Sequence, residues 1–121
     1  MRIVAEASPR SEDELFSRVF AGHYPGNPIT PGVLLCEMVF QAGAALLSHR
    51  LGDDPKGTPV VVKISNTRFK QIIRPDDRLD VEALFVEQLS NAFYMKGSVK
   101  CGGKLAVRVE FTCALVPDGE A

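Results

Sequence analysis

What the sequence lacks narrows its possibilities first. Across 121 residues it has almost no charge imbalance, with a formal net charge of -1. That argues against a general nucleic-acid binder, which needs a basic excess to neutralise phosphates. Cysteine is sparse: Cys36, Cys101 and Cys113 are odd in number and have no CxxC spacing. Neither a disulfide framework nor a metal site is expected, and small core thiols in a reducing cytoplasm fit better. No apolar run approaches the roughly 20 residues needed to cross a bilayer. The opening Met1-Arg2-Ile3-Val4 has no signal-peptide core. A cytoplasmic protein without membrane insertion is therefore expected. There is no internal repeat, low-complexity tract or linker, so residues 1–121 read as one domain. Hydrophobic residues make up 45% and charged residues 24%, the balance of an ordinary globule.

Several elements are legible in what remains. Residues 2–7 suit a short strand. Ser11-Glu12-Asp13-Glu14 has the form of a capping box, and Leu15, Phe16, Val19 and Phe20 follow at helical spacing. Residues 22–32 hold three prolines and three glycines in eleven positions, which forbids a regular element and predicts a rigid, bent loop. A helix is then predicted from Pro31 to Arg50. Thr30 suits its N-cap, Pro31 its first position and Gly52 its end, with His49 and Arg50 in the last turn. It would be roughly 30 Å long at ~1.5 Å per residue. Being apolar nearly all round, it reads as a buried helix. Period-two patterning predicts strands over 60–70, 78–89, 92–100 and 104–116, with tight turns at Ser90-Asn91 and Gly102-Gly103. The expected class is α+β, one long buried helix wrapped by an antiparallel sheet. Leu84 and Val86 place apolar side chains on the second sheet face as well, which points to an oligomer.

Polar residues stand out against this apolar helix. Glu37 and Gln41 lie at i and i+4 and can hydrogen-bond each other. A buried carboxylate is costly to ionise and tends to hold its proton, which makes Glu37 a candidate general acid beside the alternative of a structural carboxylate. His23 lies fourteen residues earlier, with prolines and glycines constraining its backbone on both sides. A preorganised imidazole suits a general base. His49, at the helix end, is given no role. The N–H groups of Gly32 and Val33 have no intrahelical partner, and the helix dipole adds partial positive charge there. Such donors suit a thioester carbonyl as it gains enolate character.

The stretch from Gly22-His23-Tyr24-Pro25-Gly26-Asn27-Pro28 through Pro31-Gly32 to Glu37 and Gln41 resembles the signature of the β-hydroxyacyl-ACP dehydratases of FabZ/FabA type, which have the hot-dog fold. The likeness is specific over residues 20–43 and continues more weakly through Arg68-Phe69-Lys70 and Arg74-Pro75-Asp76-Asp77. The resemblance implies a homodimer, or a trimer of such dimers, with a continuous sheet around two central helices. His23 of one subunit would face Glu37 of the other. His23 would take the C2 proton, Glu37 would protonate the leaving 3-hydroxyl, the Gly32 N–H would polarise the carbonyl, and Gln41 would orient Glu37. No metal or redox cofactor is expected, because loss of water changes no oxidation state.

Three features depart from the family pattern. The N-terminal segment that usually precedes the part matching Arg2-Ile3-Val4 is not in this sequence. Phe40 stands where a small residue is usual, so its ring would shorten or redirect the acyl channel. Thr30 replaces an apolar residue, and its hydroxyl would cap the Gly32 or Val33 N–H and compete with substrate. The expected partner is an acyl carrier protein (or CoA) thioester, and Arg68, Lys70, Arg74 and Arg78 would meet an acidic carrier. A thioesterase or a CoA-linked hydratase on the same fold is the nearest alternative. A non-catalytic subunit that binds acyl chains or a partner is the alternative of another class, though such a protein has no need of His23, Glu37, Gln41 and Gly32 together.

Overall fold

The computed structural model describes residues 2–7, 30, 32–52, 57–74 and 76–117. The expected N-terminal amphipathic helix and nearly all of the 22–32 loop, His23 included, lie outside these residues. Strand β1 spans Arg2–Ala7 and helix α1 spans Gly32–Leu51. Strands β2 (Thr58–Phe69), β3 (Leu79–Leu89), β4 (Ala92–Cys101) and β5 (Lys104–Val116) follow. Every expected strand is present, with ends shifted by at most two residues, and the expected helix is present over Gly32–Leu51, Pro31 lying outside the described residues.

The five strands form one antiparallel sheet in the order β1-β3-β4-β5-β2. Strands β3, β4 and β5 make the expected meander. Gly102 and Gly103 both adopt positive φ (60° and 78°), the requirement of a type I′ hairpin turn. Strand β2 pairs only with β5 and is a sheet edge. Helix α1 touches all five strands. Five strands at ~4.8 Å spacing make a sheet roughly 19 Å wide, whereas a helix is only ~10–12 Å across, so the sheet must curve around the helix to meet it everywhere. This is the expected hot-dog arrangement.

The core lies between α1 and the concave sheet face. Leu35, Val39, Leu46 and Leu47 pack against Val81, Phe93, Met95, Val99, Val107, Val109 and Phe111. Gly97 permits the closest approach, since a Cβ there would strike Val39 Cγ1. At the far end the Arg50 guanidinium lies 4.0 Å over the Phe85 ring.

Two expectations require correction. The helix is buried on one face only: Leu35, Cys36, Val39, Gly43, Leu46 and Leu47 are buried, whereas Val33, Glu37, Gln41, Ala45 and Ser48 are exposed. The reason is geometric, because a single sheet covers a single side of a helix. In addition, Gly32–Leu51 is by length and composition apolar enough to cross a membrane, contrary to the expectation that no segment approaches that limit. Its leucine- and valine-rich face is taken up by the sheet. Of the outer-face apolar residues, Leu84 is half-buried and Val86 is exposed beside a β3 irregularity between Phe85 and Glu87. Cys36 and Cys113 are buried free thiols, as expected, and burial pushes the Cys113 thiol up to about 11.

Candidate active site

Helix α1 supplies two groups of functional side chains, one on its exposed stripe and one at its start. On the stripe, Gln41 Nε2 donates to Glu37 Oε1 at 2.7 Å. The expected i, i+4 bond is therefore formed, and it holds the Glu37 carboxylate in one orientation. Glu37 is nevertheless exposed rather than buried. The sheet lies on the opposite side of α1, so burial of this carboxylate would take a second protein surface. Phe40, one residue before Gln41, turns inward. Its ring meets Phe111 edge-on, with centroids 5.0 Å apart and planes at 64°. In this chain it is part of the core packing.

At the helix start, Thr30, Gly32, Val33, Leu35, Phe69, Gln71 and Ile72 line a cleft of about 290 Å³. Two contacts, one with the β2–β3 connection and one with the last residue of β2, shape it. The Thr30 N–H donates to the Ile73 carbonyl at 2.6 Å. The Phe69 ring lies on Gly32, where a Cβ would come within 2.8 Å of Cδ1. Only glycine allows that contact, which gives Gly32 a packing role beside its place at the helix N-terminus. The Val33 side chain projects outward and is 76% exposed. Thr30 does not cap the helix as expected: its Oγ1 is buried and has no hydrogen-bond partner. The tie to Ile73 fixes the backbone of Thr30, and the hydroxyl is left enclosed without a partner.

Glu37 and Gly32 are separated by five residues of one helix. That is ~7.5 Å along the axis and, at ~100° per residue, about 140° around it. Within one chain the carboxylate and the helix-start cleft therefore face different sides.

The expected basic residues divide. Arg78 forms an exposed ion pair with Glu6 at 3.1 Å. Arg74 sits in a turn in which its N–H donates to Asp77 Oδ2 at 2.8 Å and its carbonyl accepts from the Asp77 N–H. Arg68 and Lys70 line a groove of about 500 Å³ with Asn66, Leu105, Arg108 and Glu110. Arg108 was not singled out in the sequence. It joins the groove because β2 and β5 pair with Arg68 directly opposite Arg108, a register that sequence alone does not disclose. Glu110 offsets this charge: its hydrogen bond from Asn66, with Lys96 and Arg108 nearby, holds its carboxyl below the usual 4.5. No group of three or more His, Cys, Asp or Glu side chains able to hold a metal occurs among the described residues.

Comparison with known proteins places these features in a family. The model of the ApeI-like dehydratases matches residues 12–104. A 3-hydroxyacyl-[acyl-carrier-protein] dehydratase FabZ from Caulobacter vibrioides is 39% identical over 101 residues, which are 83% of this chain and 64% of that protein. The chain thus spans less than two thirds of that relative's length. Among solved structures, the dehydratase heterocomplex ApeI:P from Xenorhabdus doucetiae superposes with a TM-score of 0.75 at 13% identity, over 98% of this chain and 78% of that one. A thioesterase-superfamily protein from Thermus thermophilus does so with a TM-score of 0.75 at 15% identity, over 97% and 82%. At such identities the structures establish the shared fold alone.

Proposed function

Because the chain belongs to the ApeI-like dehydratase family, we propose that it removes water from 3-hydroxyacyl thioesters carried by acyl carrier protein, yielding trans-2-enoyl thioesters for fatty-acid or related lipid or polyketide synthesis in the cytoplasm. The observation that carries this reading is the Gln41–Glu37 hydrogen bond at 2.7 Å, an oriented carboxylate on the same helix whose start offers free N–H groups. His23 takes the C2 proton and the electron pair of that C–H bond forms the C2=C3 double bond. The C3–O bond breaks, and Glu37 supplies the proton with which the hydroxyl leaves as water. The N–H groups of Gly32 and Val33 hold the carbonyl oxygen as enolate character develops. Gln41 keeps Glu37 aimed. Proton return from His23 to Glu37, directly or through solvent, resets the site.

The reading includes a homodimer. The ~140° between Glu37 and Gly32 on one helix supports a site that takes its acid from one subunit and its carbonyl donors from the other. The edge position of β2, with Val62 and Ile64 exposed, supports sheet pairing with a second copy. Arg68, Lys70 and Arg108 offer an acidic carrier protein a basic docking groove.

The test is incubation with a 3-hydroxyacyl carrier-protein thioester, followed by mass spectrometry of the acyl group. Loss of one water is expected, and His23→Ala and Glu37→Ala should each nearly abolish it in folded protein. Release of free carrier thiol without elimination would replace this reading with a thioesterase. A monomeric solution mass would remove the shared site.

A further inference from the structure

Two guanidiniums of like charge face each other at the sheet edge. Arg68 of β2 stands directly opposite Arg108 of β5, and both side chains, with Lys70, line the groove of about 500 Å³. Like charges set directly opposite across two strands repel and cost stability. Glu110 is the acid among the described groove residues, and it is already engaged: it accepts from Asn66 and has Lys96 Nζ 3.7 Å away. Glu82, farther along the outer face, pairs with Arg2 at 3.4 Å. Among the described residues, Arg68, Lys70 and Arg108 form no ion pair. The backbone holds these cations in place. Arg68 belongs to the β2–β5 ladder, and the Lys70 N–H donates to the Ala106 carbonyl at 2.7 Å. Asn66, with a φ of 50°, lies in the β2 irregularity between Ser65 and Arg68. A bulge re-aims side chains and interrupts edge pairing, so it sets the cations apart from the exposed Val62 and Ile64.

A bridging anion suits such a pair. The fork of a single guanidinium satisfies a carboxylate, whereas a phosphate has oxygens on several sides and can accept from both guanidiniums and an ammonium at once. The groove is within the size range of ligand pockets, which run from roughly 300 to 1,000 Å³, so it has room for a phosphate and part of the chain attached to it. Its position says what that chain is. Phe69, between Arg68 and Lys70 in sequence, lays its ring on Gly32 at the start of α1. Successive residues of a strand point to opposite sides. The end of β2 therefore turns its cations to one side and the ring to the helix start on the other. A ligand that reaches both is a thioester whose chain ends in a phosphate.

We propose that Arg68 and Arg108, with Lys70, bind the phosphate of the phosphopantetheine arm that carries the acyl thioester. The assignment rests on the thioester reading of the site and names the anion that the groove takes. The arm is common to acyl carrier protein and CoA, so its phosphate is bound whichever of them presents it. Arg68 and Arg108 are then substrate-binding residues remote from the bond that breaks. The phosphate neutralises the pair, so binding recovers what their repulsion costs the free protein. Holding the far end of the arm also limits how the thioester can lie at the helix start.

The experiment measures binding to the full chain by calorimetry. The ligands are saturated acyl-amide analogues, with NH in place of the thioester sulfur, built on pantetheine, on phosphopantetheine, on CoA and on carrier protein. None of them can be dehydrated or hydrolysed as a thioester. The wild type should bind the phosphopantetheine analogue roughly tenfold or more tightly than the pantetheine analogue, the scale of a hydrogen bond to a charged group. Arg68→Gln and Arg108→Gln should each reduce that preference about three- to tenfold and leave pantetheine binding unchanged. Arg50→Gln, which removes the same charge at the far end of α1, should leave the preference intact. The CoA and carrier-borne analogues should weaken by the same factor as phosphopantetheine in the two groove variants. Both variants should melt at or above the wild-type temperature, because each relieves a like-charge pair. No phosphate preference in the wild type, or one that survives in both groove variants, overturns the proposal. A loss confined to the carrier-borne analogue would assign the groove to the carrier's protein surface, and a loss confined to CoA would assign it to the nucleotide; either overturns it. The dehydratase reading is judged separately. If the wild type fails to dehydrate 3-hydroxyacyl thioesters yet shows the arginine-dependent phosphate preference, the elimination chemistry falls and the phosphate site stands. If it dehydrates them with no such preference, the chemistry stands and the phosphate site falls.

Discussion

Replacing Gly97 with alanine would test how closely α1 is seated on the sheet. The added methyl group would strike Val39 Cγ1 and lie 3.0 Å from the Glu82 carbonyl oxygen. Strand β4 is bonded on both sides, with Gly97 opposite Ala83 on one neighbour and Val109 on the other, so the backbone cannot retreat. Val39 is fully buried, and a β-branched side chain in a helix has one strongly preferred rotamer. The helix itself must therefore move. Overpacking of this kind costs about 1–3 kcal/mol, offset by ~0.5–1 kcal/mol from the reduced freedom of the unfolded chain. A net loss of about 1–2 kcal/mol is expected. Val39→Ala alone removes two buried methyl-sized groups at ~0.8 kcal/mol each and leaves a void, for a loss of about 2 kcal/mol. In the double variant the methyl group added at position 97 enters the space that Val39 vacates. The combined loss should fall short of the sum by roughly 1 kcal/mol or more. Urea unfolding of the four proteins, with m-values checked for constancy, gives the coupling directly. Losses that add within ~0.5 kcal/mol would show that the two side chains do not compete for one space. Val39 lies between Glu37 and Gln41 in the helix, so turnover should fall in Gly97→Ala and recover in the double variant.

Other outcomes follow from single contacts. Gln41→Ala removes the 2.7 Å bond that orients Glu37 and should lower kcat about tenfold with little change in KM; an unchanged kcat would remove Gln41 from the mechanism. In native protein at pH 8, iodoacetamide should label half-buried Cys101 before buried Cys36 and Cys113, as peptide mapping would show. Burial raises the Cys113 thiol from 9.0 to about 11. Its contribution to stability should thus be complete below pH 9.0 and fall away as pH rises toward about 11, where only the unfolded chain ionises readily; a Cys113→Ala variant with the same alkaline profile would contradict this. Glu110 has the opposite sign. Its carboxyl is held below 4.5 chiefly by the Asn66 hydrogen bond, so its contribution is present above 4.5 and is lost as pH falls through the lower folded value. The stability gap between wild type and Glu110→Gln should narrow in that acid range and stay constant at neutral pH.

Much of the fold and of the candidate chemistry is legible in the chain itself, because it depends on local spacing. Alternation of apolar residues disclosed the strands, and paired glycines at 102 and 103 disclosed their hairpin. The apolar run after Gly32 disclosed α1. Glu37 and Gln41 at i and i+4 are neighbours on any helix, so their hydrogen bond needed no tertiary information. Other features depend on which surfaces meet, and periodicity cannot report that. A helix apolar on most sides reads as wholly buried, yet a single sheet covers only one side and leaves Glu37 exposed. Arg108 reaches Arg68 only through the register of β5 on β2, strands that lie far apart in sequence. Phe69 reaches Gly32 only because the end of β2 lies against the helix start. Thr30 has the composition of an N-cap, but a tie to Ile73 fixes its backbone and leaves its hydroxyl without a partner. Local chemistry thus determined which groups were available, and long-range packing decided which of them were left free to meet a ligand.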